Sequence, residues 1–145
     1  MEIAIAIAKA SNFQDVLSLS GLFDNSEQSK EEKIQQALEN GLVWVAKDGE
    51  KIVGYSLVQL FDEKHGQLPS SVFIADLYVL EQYRKQGIGK LLIEKILSTK
   101  FSKQYTCFSL THDPEENNLT DFYKLFGFEV VGQTMAGNIK MIKKH

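Results

Sequence analysis

The residues with the most chemical potential lie in one stretch, "YRKQGIGKLL", Tyr83 to Leu92. Arg84 is the single arginine among 16 basic residues, and it stands three residues before the only Gly-x-Gly in the chain. An apolar run, "SVFIADLYVL", leads into this stretch, and "GIGKLLIEKILSTK", apolar at helical spacing, leads out of it. A strand that enters a glycine-rich turn and then a helix makes an anion site. The first amides of a helix have no partner inside the helix, and the helix dipole adds partial positive charge there. Gly87 and Gly89 remove side chains where a phosphate must approach the backbone. Arg84 offers a planar, permanently charged donor, and Lys85 and Lys90 add positive charge nearby. Taken alone, the same spacing also describes a helix start softened by glycine among surface lysines, so the surrounding elements must decide.

Two other phosphate loops are disfavoured. A nucleoside-triphosphate loop of the Walker type needs glycine where Arg84 stands and Ser or Thr where Leu91 follows Lys90. The dinucleotide fingerprint needs a third glycine at position 92, which is Leu92. Mononucleotide hydrolysis and hydride transfer are set aside on these grounds.

The elements that position this loop are those of an ordinary globular chain. At 145 residues, 43% hydrophobic and 24% charged, the sequence has the length of one domain, expected over 1–145. A net charge of −3 argues against a nucleic-acid binder, and no apolar run approaches the roughly 20 residues of a membrane helix. One cysteine, Cys107, leaves no disulfide within the chain, and the N-terminus reads as a strand rather than a secretion signal, so a cytoplasmic location is expected.

Along the chain, a strand is predicted over 2–8, then a helix capped by Ser11 and carrying Phe13, Val16, Leu17 and Leu19. Ser29 and Glu32 have capping-box spacing for a second helix that stops at Gly41. A hairpin follows with Asp48-Gly49 as its turn. The strand "SVFIADLYVL" is nearly continuous in apolar residues and so belongs at the centre of a sheet. The helix after the loop shows Ile88, Leu91, Leu92 and Ile96 on one face. A strand "QYTCFSL", a short helix "NNLTDFYKLFG" and a last hairpin around Ala136-Gly137 complete the order β-α-α-β-β-β-α-β-α-β-β. This is a mixed α/β pattern with more hairpins than a doubly wound sheet has.

Two segments in this order, "VFIADLYVLEQYRKQGIGKLLIEKIL" and, about 30 residues on, "LTDFYKLFGFEVVG", resemble the two signatures of the GCN5-related N-acetyltransferase (GNAT) family. The resemblance extends over essentially the whole chain. It implies the GNAT fold, a central, mostly antiparallel mixed sheet of about seven strands with about four helices. It also implies acetyl-CoA as co-substrate and no metal. By that resemblance the pyrophosphate of coenzyme A rests on amides of Arg84, Lys85, Gln86, Gly87, Ile88, Gly89 and Lys90. The pantetheine arm lies along Leu77, Tyr78 and Val79, and the amide near Val79 polarises the thioester carbonyl.

The implied reaction moves an acetyl group to a primary amine. A free amine is almost wholly protonated at neutral pH, so a base is useful, and the thiolate that leaves needs an acid. Tyr123 matches the family tyrosine that plays the acid; by pattern alone it is a core tyrosine spaced with Phe122 and Phe126. Asp76 is the candidate base, expected among apolar neighbours, or else a strand aspartate bound to backbone or to a lysine. Glu81 is a rival, and Asp24 is placed to bind the charge of the amine. The family helix often begins Asn-x-x-Ala, where this chain has Glu116 and Leu119, so Asn117 is assigned the cofactor contact.

His65, His112 and His145 show no metal-ligand spacing. Cys107 with His112 could be drawn as a nucleophile pair, but "TCFSL" reads as a strand interior with an inert thiol. "KMIKKH" reads as a solvated basic strand face. The expected acceptor is a small cationic amine, favoured by Asp24, Asp62, Glu63 and Asp76. Two alternatives stand beside it: acetylation of a protein N-terminus or lysine, and a coenzyme A-binding module without catalysis. No nucleic-acid or membrane partner is expected, and the last hairpin could pair two copies into a homodimer.

Overall fold

The computed structural model describes residues 2–23, 30–61, 70–101, 105–115 and 118–144. Seven strands form one sheet in the order β1-β2-β3-β4-β5-β7-β6. They are β1 (Ile3–Ile7), β2 (Val43–Asp48), β3 (Lys51–Phe61), β4 (Ser71–Val79), β5 (Cys107–His112), β6 (Glu129–Gln133) and β7 (Ile139–Lys144). The helices are α1 (Phe13–Phe23), α2 (Lys30–Glu39), α3 (Ile88–Ser98) and α4 (Leu119–Lys124). The element order is the one expected, and β4 takes the middle of the sheet as its apolar run required. No described helix is long and apolar enough to cross a membrane.

The chain divides into two compact units, one of residues 1–58 and 76–99, the other of residues 59–75 and 100–145. In the first, β1 and β2 pair antiparallel from Ile3↔Asp48 to Ile7↔Trp44, and β2 pairs antiparallel with β3. Four successive residues of β2, Val43 to Ala46, are buried, so both faces of that strand are covered. Helix α3 packs on β1 and β2 through Ile88, Leu92, Ile93 and Ile96. Burying each of these side chains contributes about 1.5–3 kcal/mol. Leu91, expected on the same face, is 40% exposed, and Ile93 takes its place. The stripe is therefore i, i+4, i+5, i+8, a small rotation of the one read from the sequence.

Several local expectations are corrected. Ser11 does not cap α1; it lies in a 3₁₀ turn over Ala10–Asn12, and Asn12 Oδ1 accepts the Lys9 amide at 2.8 Å. The β2–β3 hairpin closes through Gly49-Glu50, because Asp48 already pairs with Lys51; Gly49 has φ +63°. Ser29, expected to cap α2, lies outside the described residues, while Gly41 ends that helix at φ +70° as expected.

In the second unit, β4 pairs in parallel with β5 through Ser71, Val72 and Phe73 against Cys107, Phe108 and Ser109. β7 runs antiparallel between β5 and β6. The hydroxyls of Ser71 and Ser109 lie 2.7 Å apart and are buried, which satisfies two polar groups that would otherwise be costly there. The basic end of the chain is not wholly solvated, because Lys140 and Met141 are buried.

Candidate functional site

The loop between β4 and α3 is built from backbone. After β4 a 3₁₀ turn covers Glu81–Tyr83, and Arg84 returns to extended backbone at φ −73° and ψ 164°. Lys85 and Gly87 then adopt left-handed conformations, φ +63° and +83°. This conformation suits glycine and strains a lysine, and such strain in non-glycine residues concentrates at functional turns. A Cβ on Gly87 would meet nothing within 4 Å, so the glycine answers to φ and to approach from outside rather than to internal crowding.

Gly87 is the N-cap of α3, and no side chain caps the helix. Its first turn carries no acidic residue, and Arg84, Lys85 and Lys90 around it are exposed. Unclaimed amides, the positive end of a helix dipole and three cations fit an incoming pyrophosphate. The loop is anchored at its base. The Tyr83 hydroxyl donates to Asp48 Oδ2 at 2.8 Å, which pushes the phenol above its ordinary pKa, the hydrogen bond contributing more than burial or the aspartate charge.

Arg84 is used differently from its simplest reading. Its Nε donates to the Val79 carbonyl at 2.8 Å, and its guanidinium lies 5.2 Å from the centre of the Tyr78 ring. The side chain thus folds back over the end of β4 and clasps the turn to it. Gly54 on β3, which the sequence reading did not single out, makes that strand end possible. A Cβ there would come within 3.0 Å of the Tyr78 carbonyl oxygen and 3.3 Å of a Val79 methyl. A lone glycine inside a strand was the available signal, because it often marks close backbone approach.

Asp76 is 6% exposed, and of its two expected settings it takes the one bound to a lysine rather than the one among apolar neighbours. The Tyr55 hydroxyl donates to Oδ2 at 2.9 Å, and the Lys33 ammonium reaches Oδ1 at 3.2 Å. The Asp76 carbonyl accepts from Ser56 Oγ at 2.7 Å. A buried carboxylate is tolerable only when paired in this way. Lys33 comes from α2, so a residue distant in sequence decides the charge balance at Asp76. Of the other acids, Glu81 is exposed on its turn. Asp24, Asp62, Glu63, Glu116 and Asn117 lie outside the described residues, as do His65 and His145.

Tyr123 belongs to the second unit and is 7% exposed. The rings of Phe122 and Phe128 meet it edge-on at 5.1 and 5.9 Å, and the His112 ring stacks on it at 6.0 Å and 28°. The pairing with Phe126 runs through Phe122, 5.2 Å away from it. Cys107 is buried, and burial pushes its thiol above the ordinary cysteine pKa, which suits an inert side chain.

Comparison with known proteins places this geometry in a class. Residues 11–128 match the pattern of the acetyltransferase (GNAT) family. The chain belongs to that family. It is similar to the mouse (Mus musculus) thialysine N-epsilon-acetyltransferase, 31% identical over 80 residues, a stretch that spans 54% of this chain and 45% of the mouse protein. The chain therefore aligns with about half the length of that curated relative.

Solved structures that share the fold include the following two. One is a chain of the NatC complex bound to Gag peptide and CoA, with TM-score 0.82 and 20% identity over 100% of this chain and 99% of that one. The other is the PaiA N-acetyltransferase of Thermoplasma acidophilum in complex with coenzyme A, with TM-score 0.73 and 18% identity over the full length of both.

Proposed function

We propose that this chain is an acetyl-CoA-dependent N-acetyltransferase whose acceptor is a primary amine, a small cationic one in the first instance. The observation that carries the reading is the uncapped start of α3 behind the left-handed Lys85 and Gly87, in a chain that belongs to the GNAT family. Acetyl-CoA, when bound, supplies an acetyl group already activated as a thioester.

The rest falls to the protein's own residues. Amides from Lys85 to Lys90 receive the pyrophosphate; the Arg84 amide, expected among them, already donates to the Glu81 carbonyl at 3.2 Å, and the Arg84 side chain keeps the turn closed against Val79. Leu77, Tyr78 and Val79 present a strand edge to the pantetheine arm, with the Val79 amide directed at the carbonyl oxygen. Tyr123 gives its hydroxyl proton to the thiolate that leaves. Asp76 is the base for the amine's proton, and Lys33 must release Oδ1 for it to take that proton directly. Asn117 keeps its proposed contact with the cofactor. The relative that acts on thialysine supports a small amine as acceptor.

A second reading, acetylation of a protein N-terminus, is favoured by one observation. Asp76 already has Lys33 and Tyr55 as partners, so the charge that would select a cation is compensated within the chain. The peptide-bound structure of the same fold is consistent with it.

The shift in unfolding temperature with acetyl-CoA, against dephospho-coenzyme A and NAD, tests the cofactor, because a ligand that binds only the native state must raise it. A rise with acetyl-CoA and none with NAD is expected; no rise at millimolar acetyl-CoA overturns the reading. Turnover is then compared between thialysine and a short peptide with a free N-terminus. A chain that binds acetyl-CoA and acetylates neither would be a binding module.

A further inference from the structure

In the sequence His112 has no metal-ligand spacing and is an implausible partner for Cys107, and the function above does not use it. The structure gives it another place. It ends β5 and is 8% exposed, and both ring nitrogens are engaged. Nδ1 lies 3.0 Å from the Asp113 carbonyl oxygen, and Nε2 lies 3.0 Å from Thr120 Oγ1. A carbonyl can only accept, so Nδ1 carries the proton. In the neutral ring Nε2 then has a lone pair, and the Thr120 hydroxyl donates to it. The imidazole is thereby held in one tautomer and one orientation, parallel within 28° to the ring of Tyr123.

The helix that carries Tyr123 needs such a hold. α4 has six residues, too few to be stable alone. Its N-cap, Asn118, is left-handed at φ +59° and makes no side-chain cap. Thr120 precedes Tyr123 by three residues and so shares its side of the helix. The hydrogen bond from Thr120 and the stack on Tyr123 are two grips on one helix by one side chain of β5. Phe122 and Phe128 meet Tyr123 edge-on, whereas the His112 ring is stacked on it.

We infer that His112 is a positioning residue for Tyr123: it fixes the plane of the phenol, and with it the direction of the hydroxyl, through the Thr120 bond and the ring stack. The inference rests on the reading in which Tyr123 serves the reaction, and the test separates the two. His112→Leu and Thr120→Val are each made in the natural chain and in a Tyr123→Phe background. Transfer from acetyl-CoA to thialysine is followed as kcat and as the KM for acetyl-CoA.

His112→Leu should lower kcat about tenfold, the scale of one lost aromatic pair, with that KM unchanged. Thr120→Val, which keeps the ring, should lower it less. In the Tyr123→Phe background neither change should lower kcat further, since effects that pass through one residue do not add. An equal loss in both backgrounds, or no loss in the natural chain, overturns the inference. If Tyr123→Phe alone leaves kcat intact, the role of Tyr123 fails, and that single variant shows it. Ring-labelled tyrosine NMR gives a readout without turnover: the Tyr123 ring signals must move in His112→Leu, and unmoved signals overturn the contact itself.

Discussion

The turn from Arg84 to Lys90 and the cluster around Tyr123 are built by opposite means. In the turn, apart from the buried Ile88, side chains are absent or outward-facing, and the working groups are amides whose direction follows from two left-handed residues. Around Tyr123 the backbone only carries the parts, and the rings of His112, Phe122 and Phe128 and the Thr120 hydroxyl set the geometry. A site made of backbone is encoded by what is missing, so its pattern of glycines is short and local. A site made of rings is encoded by packing, and its members look like core residues until they are seen together. The first should tolerate loss of charge and fail on added bulk. The second should tolerate little change of orientation.

The sharpest way to break the comparison is Gly89→Glu. A carboxylate in the first turn of α3 would occupy phosphate space and repel the anion, and like-charge contacts of this kind cost several kcal/mol. Acetyl-CoA affinity should fall on the order of a thousandfold by calorimetry; unchanged affinity would remove the loop assignment. Tyr123→Phe comes next. Loss of a general acid typically lowers the rate by roughly 10²–10⁴-fold, here with near-normal affinity for acetyl-CoA, and equal turnover would take Tyr123 out of the mechanism.

Gly54→Val tests whether the turn depends on a close strand end. Its side chain must displace the Tyr78 carbonyl or the Val79 methyl, an overpacking cost of about 1–3 kcal/mol, read as lower stability and weaker acetyl-CoA binding together. Stability lost without any change in binding would show that the strand end does not shape the turn.

Arg84→Ala should do less. It removes one hydrogen bond and one exposed ring contact, so affinity should drop only about threefold to tenfold. A loss as large as that of Gly89→Glu would mean the guanidinium itself carries the phosphate. The smallest effect concerns Cys107. Burial disfavours its thiolate, so its pKa lies above that of a free thiol, and at pH 8 it should react with a thiol reagent more slowly than unfolded chain does. Labelling at equal speed would show an open thiol.

Much of this was legible because it is local. The strand, turn and helix around Gly87 follow from an apolar run, two glycines and a helical stripe. The element order follows from periodicity and turn residues throughout. What was misread was also local in character. The cap of α1 passed from Ser11 to the 3₁₀ turn, the hairpin turn moved by one residue to Gly49-Glu50, and the buried stripe of α3 rotated from Leu91 to Ile93. Each shift is small enough that neighbouring packing, rather than intrinsic preference, decides it.

The partners of the two candidate catalytic side chains were of another kind. Lys33 and Tyr55 are 43 and 21 residues from Asp76 in the chain, and His112 comes to Tyr123 from the end of another element, β5. No spacing rule links such positions. The sequence by itself determined the fold class and the strand, turn and helix around Gly87, because those depend on short-range pattern, while the candidate acid and base came from its likeness to the GNAT family. Only the tertiary structure decided that Asp76 is an already compensated carboxylate, that Arg84 clasps the strand, and that the His112 ring stacks on Tyr123. Those outcomes depend on which side chains the sheet and helices bring together, and that is settled when the core closes.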